Sequence, residues 1–319
     1  MQELSDWLDR EAVTLENPRG LGPFVLVCDH ASNWVPTSLK GLGLPDSELE
    51  RHIAWDPGAL QLARRLSELL DAPLVHAAVS RLVLDVNRDP SHPGSIVTRS
   101  EDTDIPGNQE ISAEERARRV QSIYEPYHRT LDEVIEQSVA RNQSPQIISV
   151  HSFTPIYRQE QRPWHIGVLH GADERLSRPL LELLRADGEF CVGDNQPYAP
   201  TDGVYHTLHR HCTRQSSGAE KMNSGGGMSA SAEMNSGGGM GSGGGMSAGL
   251  NSGAGSNSSG TSSSGTASGS LAVSSAKANP HANGNLRSVL LELRSDTISS
   301  EDGREQWALR LERALRAIH

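Results

Sequence analysis

Five short stretches of this 319-residue chain bring polar groups to the ends of apolar runs. VCDHASNWVP (27–36) ends a hydrophobic run in Asp29, His30, Ser32 and Asn33. HIAWDPGA (52–59) sets Asp56 just ahead of a helix start, where it either caps the helix or ligates a metal. SRLVLDVNR (80–88) reads as a strand delivering Asp85, Asn87 and Arg88. Its arginine either clamps a carboxylate in a bidentate fork or pairs with Asp85. IISVHSFTP (147–155) carries His151 at the end of a buried run. VLLELR (289–294) sinks Glu292 into an apolar strand, where an unpaired carboxylate is costly and needs a partner or a task.

Two strand-end histidines, neighbouring carboxylates and a separate buried glutamate suit metal-assisted hydrolysis. A catalytic zinc-like ion takes three protein ligands, commonly two histidines and a carboxylate, and keeps one position for water. A carboxylate outside the ligand set then takes the proton of that water.

The elements that must position these groups follow an α/β pattern, with short apolar runs alternating with amphipathic stretches. Strands are expected at Phe24–Cys28, Leu74–Val79, Leu82–Val86, Gln146–Val150, His165–Leu169 and Val289–Leu293. A helix is expected from Gly58 to Leu70, with Leu62, Leu66 and Leu69 at core spacing. Ser112 caps a longer helix reaching towards Ala140, with Glu115 at the capping-box position. Glu174–Leu184 reads as a helix, and a last one begins near Ser300 with Trp307, Leu311 and Leu315 on one face. Sites in open α/β sheets gather at the carboxyl ends of the strands.

Residues 215–282 break the pattern: they hold 17 of the 31 glycines and five of the six methionines, but no aromatic residue. Met222, Met228, Met234, Met240 and Met246 recur every six residues among Gly/Ser blocks. One apolar residue in six cannot offset the entropy of ordering, so 215–285 reads as a flexible low-complexity insertion. Residues 1–214 and 286–319 then form a single domain, which carries the net charge of −11, because Glu220 and Glu233 cancel Lys221 and Lys277. An acidic body is a poor partner for nucleic acid or anionic membranes. Arg116, Arg118 and Arg119, interleaved with Glu114 and Glu115, read as a solvated helix face. Three scattered cysteines suggest neither a disulfide framework nor a cysteine zinc site, and no apolar run reaches membrane-span length. The expectation is a soluble cytoplasmic protein.

DHASNWVP, HIAWDPGA, SRLVLDVNR, IPGN (105–108), HSFTP, RPWHIGVL (162–169), DNQPY (194–198) and LELRSD (291–296) occur in an order that resembles the N-formylglutamate amidohydrolase family. The resemblance spans about residues 10–214 and 286–318. It implies a three-layer α/β/α fold with a mixed sheet, related to the zinc exopeptidases. The activity it implies is hydrolysis of N-formyl-L-glutamate to formate and L-glutamate in histidine degradation. The wider group orders its site as an HxxE metal motif, an Asn-Arg carboxylate clamp, a strand-end histidine and a catalytic glutamate. This chain matches with His30, Asn87-Arg88, His151 and Glu292, but Asn33 stands where the HxxE glutamate would be. Asp56 is the candidate for the missing carboxylate.

The resulting expectation is a divalent metal, zinc or else cobalt, held by His30, Asp56 and His151. Glu292 activates water, while Arg88 and Arg81, with Asn87, hold substrate carboxylates. His165 and Asn195 polarise the scissile carbonyl. The competing expectation, motivated by Asn33, is a non-catalytic binding protein on the same fold; another is a deacylase for a different N-acyl amino acid.

Overall fold

The computed structural model describes residues 7–141, 144–186, 188–212 and 286–319. The expected 215–285 insertion therefore lies outside the described residues.

The apolar runs form a seven-stranded mixed sheet. In chain order the strands are β1 (Val13–Glu16), β2 (Phe24–Cys28), β3 (Leu74–Ala77), β4 (Gln146–Phe153), β5 (Ile166–Leu169), β6 (Val192–Asp194) and β7 (Ser288–Arg294). Across the sheet the order is β1-β3-β2-β4-β7-β5-β6. Strands β3, β2, β4 and β7 run parallel, β1 is antiparallel to β3, and β5 is antiparallel to β7. Every residue of β2 and β4 is buried, because helices cover both faces; this is why β2 reads as an unbroken apolar run, whereas β4 also buries Gln146, Ser149, His151 and Ser152.

Alternation along the strands splits the core in two. Phe24, Leu26, Ile148, Val150, Val289 and Leu291 face α1 (Ala59–Leu70) and the C-terminal helix Glu301–Ala317. Their partners at helical spacing are Leu62, Leu66 and Leu70 from the first helix, and Trp307, Leu311 and Leu315 from the second. Ser300 caps the C-terminal helix by accepting the Gly303 N–H at 3.0 Å. The opposite face packs Val25, Val27, Ile147 and Leu290 under Tyr127 and Leu131. His151 and Glu292 share this second face with Ile147 and Leu290, and the β4–β7 register sets them side by side.

The second-face helix runs through three consecutive segments, Ala113–Arg119, Val120–Tyr124 and Glu125–Ala140, the middle one a π-turn. Ser112 Oγ accepts the Glu115 N–H at 3.1 Å, as expected of a cap. The Glu115 carboxylate turns instead to Arg118 and Arg119. The expected solvated face is corrected at Arg119, which is 1 % exposed. Its guanidinium donates to Val83 O at 3.0 Å and Asn108 Oδ1 at 2.7 Å.

That arginine explains a second correction. Residues 82–86 are not a strand but a buried turn. Val83 N–H donates to Ser80 O, Ser80 Oγ to Ala54 O, and Asp85 N–H to Ser95 O. Leu82, Val83, Leu84 and Val86 fill the second core from this turn. An apolar run reports burial, and here loop hydrogen bonds rather than a ladder satisfy its backbone.

The chain leaves β2 through α1 towards β3 on one side, then returns to β4 on the other. The order thus reverses between β2 and β4, and their carboxyl ends open a crevice at that point. Among the described residues no helix is long and apolar enough to cross a membrane.

Cys212 O accepts the Leu286 N–H at 3.1 Å, so the positions flanking residues 213–285 meet at one hydrogen bond. Replacing Gln215–Ala282 by a short Gly/Ser linker is expected to leave melting temperature and catalysis nearly unchanged. Loop closure should gain roughly 1 kcal/mol, at about 0.6 kcal/mol per halving of length. A linker variant that melts normally but has lost most of its activity would refute the spacer reading.

Candidate active site

The crevice collects its groups from four elements. Asp29 and His30 directly follow β2, and His30 O accepts the Asp56 N–H at 2.9 Å, which ties the loop before α1 over the strand end. Asp56 does not cap α1: the N-cap is Gly58, at φ +84°. A Cβ there would meet Ile298 O at 2.8 Å, so the turn that delivers Asp56 needs glycine. His151 comes from β4 and Glu292 from β7.

One ligand atom from each of His30, Asp56 and His151 lies within 4.8 Å of the others, and all three residues are buried. The far nitrogen of each imidazole is tied to a second carboxylate. His30 Nε2–H donates to Asp85 Oδ1 at 2.8 Å, and His151 Nε2–H to Asp29 Oδ2 at 2.9 Å. Both Nδ1 atoms therefore turn to Asp56 Oδ2, at 3.4 Å from His30 and 2.9 Å from His151. His30 Nδ1 makes no hydrogen bond, although it is buried. Two imidazoles oriented by outer carboxylates, a third carboxylate between them and one orphaned nitrogen form a donor set that suits a divalent metal of the zinc type.

Electrostatics follow this geometry. Burial opposes charge on His151, but the hydrogen bonds and charges of Asp29 and Asp56 win and raise its pKa well above the ordinary value. Burial likewise opposes ionisation of Asp29 and Asp56, and the histidines overcome it, holding both well below the usual carboxylate range. Asp29 also accepts Tyr127 Oη–H at 2.8 Å, Thr207 Oγ1–H at 2.7 Å and Ser149 Oγ–H at 3.1 Å. Glu292 is different. Burial pushes it up to about 7, against the pull of His151 and with the push of Asp56. Its Oε2 has no hydrogen-bond partner.

A cavity of about 120 Å³ joins these groups to Arg81, Asn87, Arg88 and Tyr198. A second space of about 290 Å³ opens beyond the Arg81 and Arg88 side chains. Arg81 is committed to structural carboxylates, with Nη2 donating to Asp85 Oδ2 at 2.8 Å; the Asp85 ion pair is made here and not with Arg88. Arg88 has no carboxylate partner among the described residues; Nη1 donates to Asn87 O and Gly203 O, and burial lowers its pKa. Asn87, which lines the cavity, also braces the loop opposite, its amide donating to Val204 O and accepting the Thr207 N–H.

The structure does not bring His165 and Asn195 to this cavity. His165 Nδ1 accepts the Cys191 N–H and its ring packs edge-on against Phe190. Asn195 Oδ1 accepts the His170 N–H. Asn33 is also elsewhere, with Nδ2 donating to Leu49 O at 3.0 Å. The sequence alone assigns no role to Asp29, Tyr127 or Tyr198; Asp29 carries a signal beside His30 at a strand end, and Tyr198 closes the DNQPY stretch.

The fold and crevice define an α/β protein with a mixed seven-stranded sheet and a candidate metal site at its switch point. Of solved structures, a gene product of Agrobacterium tumefaciens is similar at 31% identity, with 97% of this chain and 95% of that one covered and a TM-score of 0.73. An N-formylglutamate amidohydrolase from Ralstonia eutropha JMP134 shares the fold at 16% identity, with 97% of each chain covered and a TM-score of 0.59. No curated protein matches the chain. The sequence model of N-formylglutamate amidohydrolase matches residues 22–223. The chain belongs to this family, whose members are hydrolases acting on a linear amide.

Proposed function

We propose that this protein hydrolyses N-formyl-L-glutamate to formate and L-glutamate in a divalent-metal-dependent reaction, within the cytoplasm and as a step of histidine degradation. The observation that carries the reading is the pairing of two carboxylate-anchored histidines and Asp56 with an unpartnered Glu292 in one cavity. Zinc is the metal favoured by this donor set, with cobalt as the alternative. When bound, the ion supplies Lewis acidity for the scissile carbonyl and a lower pKa for the attacking water.

The chain's own residues do the rest. Glu292, whose Oε2 has no hydrogen-bond partner, takes a proton from water and returns it to the departing amide nitrogen. Arg88, lacking a carboxylate of its own, is the clamp for a substrate carboxylate, while Arg81 holds Asp85 and Asp56 in place. On this reading Asp56 supplies the carboxylate that Asn33 does not, which weighs against the non-catalytic alternative.

Formate release from N-formyl-L-glutamate, compared with N-acetyl-L-glutamate and other N-formyl amino acids, tests the reading. Activity lost to a chelator and restored by zinc or cobalt supports it; chelator-resistant activity, or none on any formyl amide, sinks it. A subtler outcome is expected for Asp85→Asn, which keeps the shape but weakens the anchor on His30 Nε2. Outer-shell carboxylates of this kind are worth about 10–100-fold in metal affinity. Competition with a calibrated chelator reads that loss, and unchanged affinity would remove Asp85 from the anchor.

A further inference from the structure

We propose that Tyr198 is a catalytic residue that donates its phenolic hydrogen bond to the oxyanion of the reaction, and that Arg162 positions it. The proposal rests on the amidohydrolase reading above.

Tyr198 borders the same cavity as His151 and Glu292. Its oxygen accepts a hydrogen bond from Arg162 Nη1 at 3.0 Å. That occupies the acceptor side of the phenol and leaves its proton without an acceptor among the described residues. A donor beside a reaction cavity, with nothing to donate to, is poised for charge that appears only during reaction.

Arg162 is placed for this purpose and for no visible ion pair. Among the described residues it has no carboxylate partner. Its guanidinium lies against Tyr157 at 4.6 Å, Tyr198 at 4.9 Å and Phe153 at 5.7 Å from the ring centroids. Aromatic faces thus hold the cation, and one of its N–H groups is spent on the phenol oxygen. A cation donating to that oxygen makes the O–H a stronger donor, because successive hydrogen bonds polarise one another. The hydroxyl also keeps its proton: burial, helped by the nearby Glu292 charge and opposed by Arg162, pushes Tyr198 up to about 12.

The step balances with these groups alone. Water adds to the formyl carbon, its proton passes to Glu292, and the carbonyl π pair moves onto oxygen, where Tyr198 donates. The C–N bond then breaks, its electron pair goes to nitrogen, and Glu292 returns the proton there. Tyr198 begins and ends protonated.

Tyr198→Phe keeps the ring and removes only the donor. In the full-length, metal-loaded protein, kcat should fall by about 10²–10³-fold, the loss typical of one oxyanion donor, with KM within about twofold and metal content unchanged. Calorimetry with a phosphinate analogue, carrying tetrahedral anionic phosphorus in place of the formyl carbon, should show affinity falling by a similar factor while L-glutamate binds as before. Arg162→Met should give a smaller loss, and the double variant should be no slower than Tyr198→Phe, since Arg162 acts through the phenol. A kcat within threefold of wild type, or a raised KM at unchanged kcat, overturns the proposal by assigning the hydroxyl to ground-state binding or to none. Analogue binding needs no turnover, so it decides Tyr198 even if the wild type releases no formate, a result that would sink the amidohydrolase reading instead. Equal or absent analogue binding in wild type and Tyr198→Phe overturns the oxyanion role.

Discussion

Glu292→Gln is expected to lower turnover on N-formyl-L-glutamate by about 10²–10⁴-fold, the range set by loss of a general base, while leaving metal content unchanged. Glutamine preserves volume and one acceptor oxygen but cannot take a proton. The stability outcome separates this role from a structural one. In the metal-free protein the folded carboxyl holds its proton up to about 7, against an ordinary 4.5. Its contribution to stability is full below the unfolded value and is lost as pH rises through 7, because folding then buries a charge with no partner for Oε2. Glu292→Gln should therefore melt no lower than wild type above pH 7, and the difference should shrink or reverse towards pH 4.5. Activity should rise with pH as the base ionises. A variant that melts well below wild type at pH 8 while turning over normally would make Glu292 a structural ion-pair partner.

His151→Ala is expected to have the second large effect, acting on metal, activity and fold together. In the metal-free protein the protonated imidazole bridges Asp29 and Asp56, each at 2.9 Å. Alanine leaves two buried carboxylates without their shared cation, and breaking a buried pair from one side costs about 3–5 kcal/mol. Asp29 retains its three hydroxyl donors, so the protein should still fold, at a lower melting temperature. Metal ligation needs the neutral imidazole, so loading the wild type should release a proton at neutral pH, and affinity should fall as pH falls. Calorimetry in buffers of different ionisation enthalpy measures that release. If His151→Ala retained full metal content and turnover, the site would lie elsewhere.

What could be seen in the sequence was whatever local pattern controls. Phe24–Cys28 and Val289–Leu293 are buried on both faces, so their apolar runs name them as strands, and the polar residues ending the runs mark the crevice. His30, His151 and Glu292 were legible for that reason. Arg119 and Leu82–Val86 were not, because each is buried by the other across more than 30 positions, and neither run betrays its partner. Asn87 read as a ligand-binding amide, and no local pattern reveals that Val204 and Thr207, more than 100 residues away, also hold it. His165 and Asn195 show the reverse error: proximity to strand ends says nothing about which neighbour claims the side chain. Tyr198 needed Arg162 to become meaningful, and no spacing links them.

The hydrogen bond between Leu286 and Cys212 has a consequence for how this gene can change. Two consecutive stretches of the fold are stitched at a point where the backbone already meets itself. On the spacer reading, codons gained or lost between them would move no strand, and slippage of the Gly/Ser/Met repeat would be shielded from selection on the rest of the fold. The same stitch divides the coding sequence into two pieces. The first carries His30, Asp56 and His151, and the second carries Glu292. On the proposed assignment neither half, expressed separately, would hold the whole site, and reassembly of the two should switch on hydrolysis only where both are made.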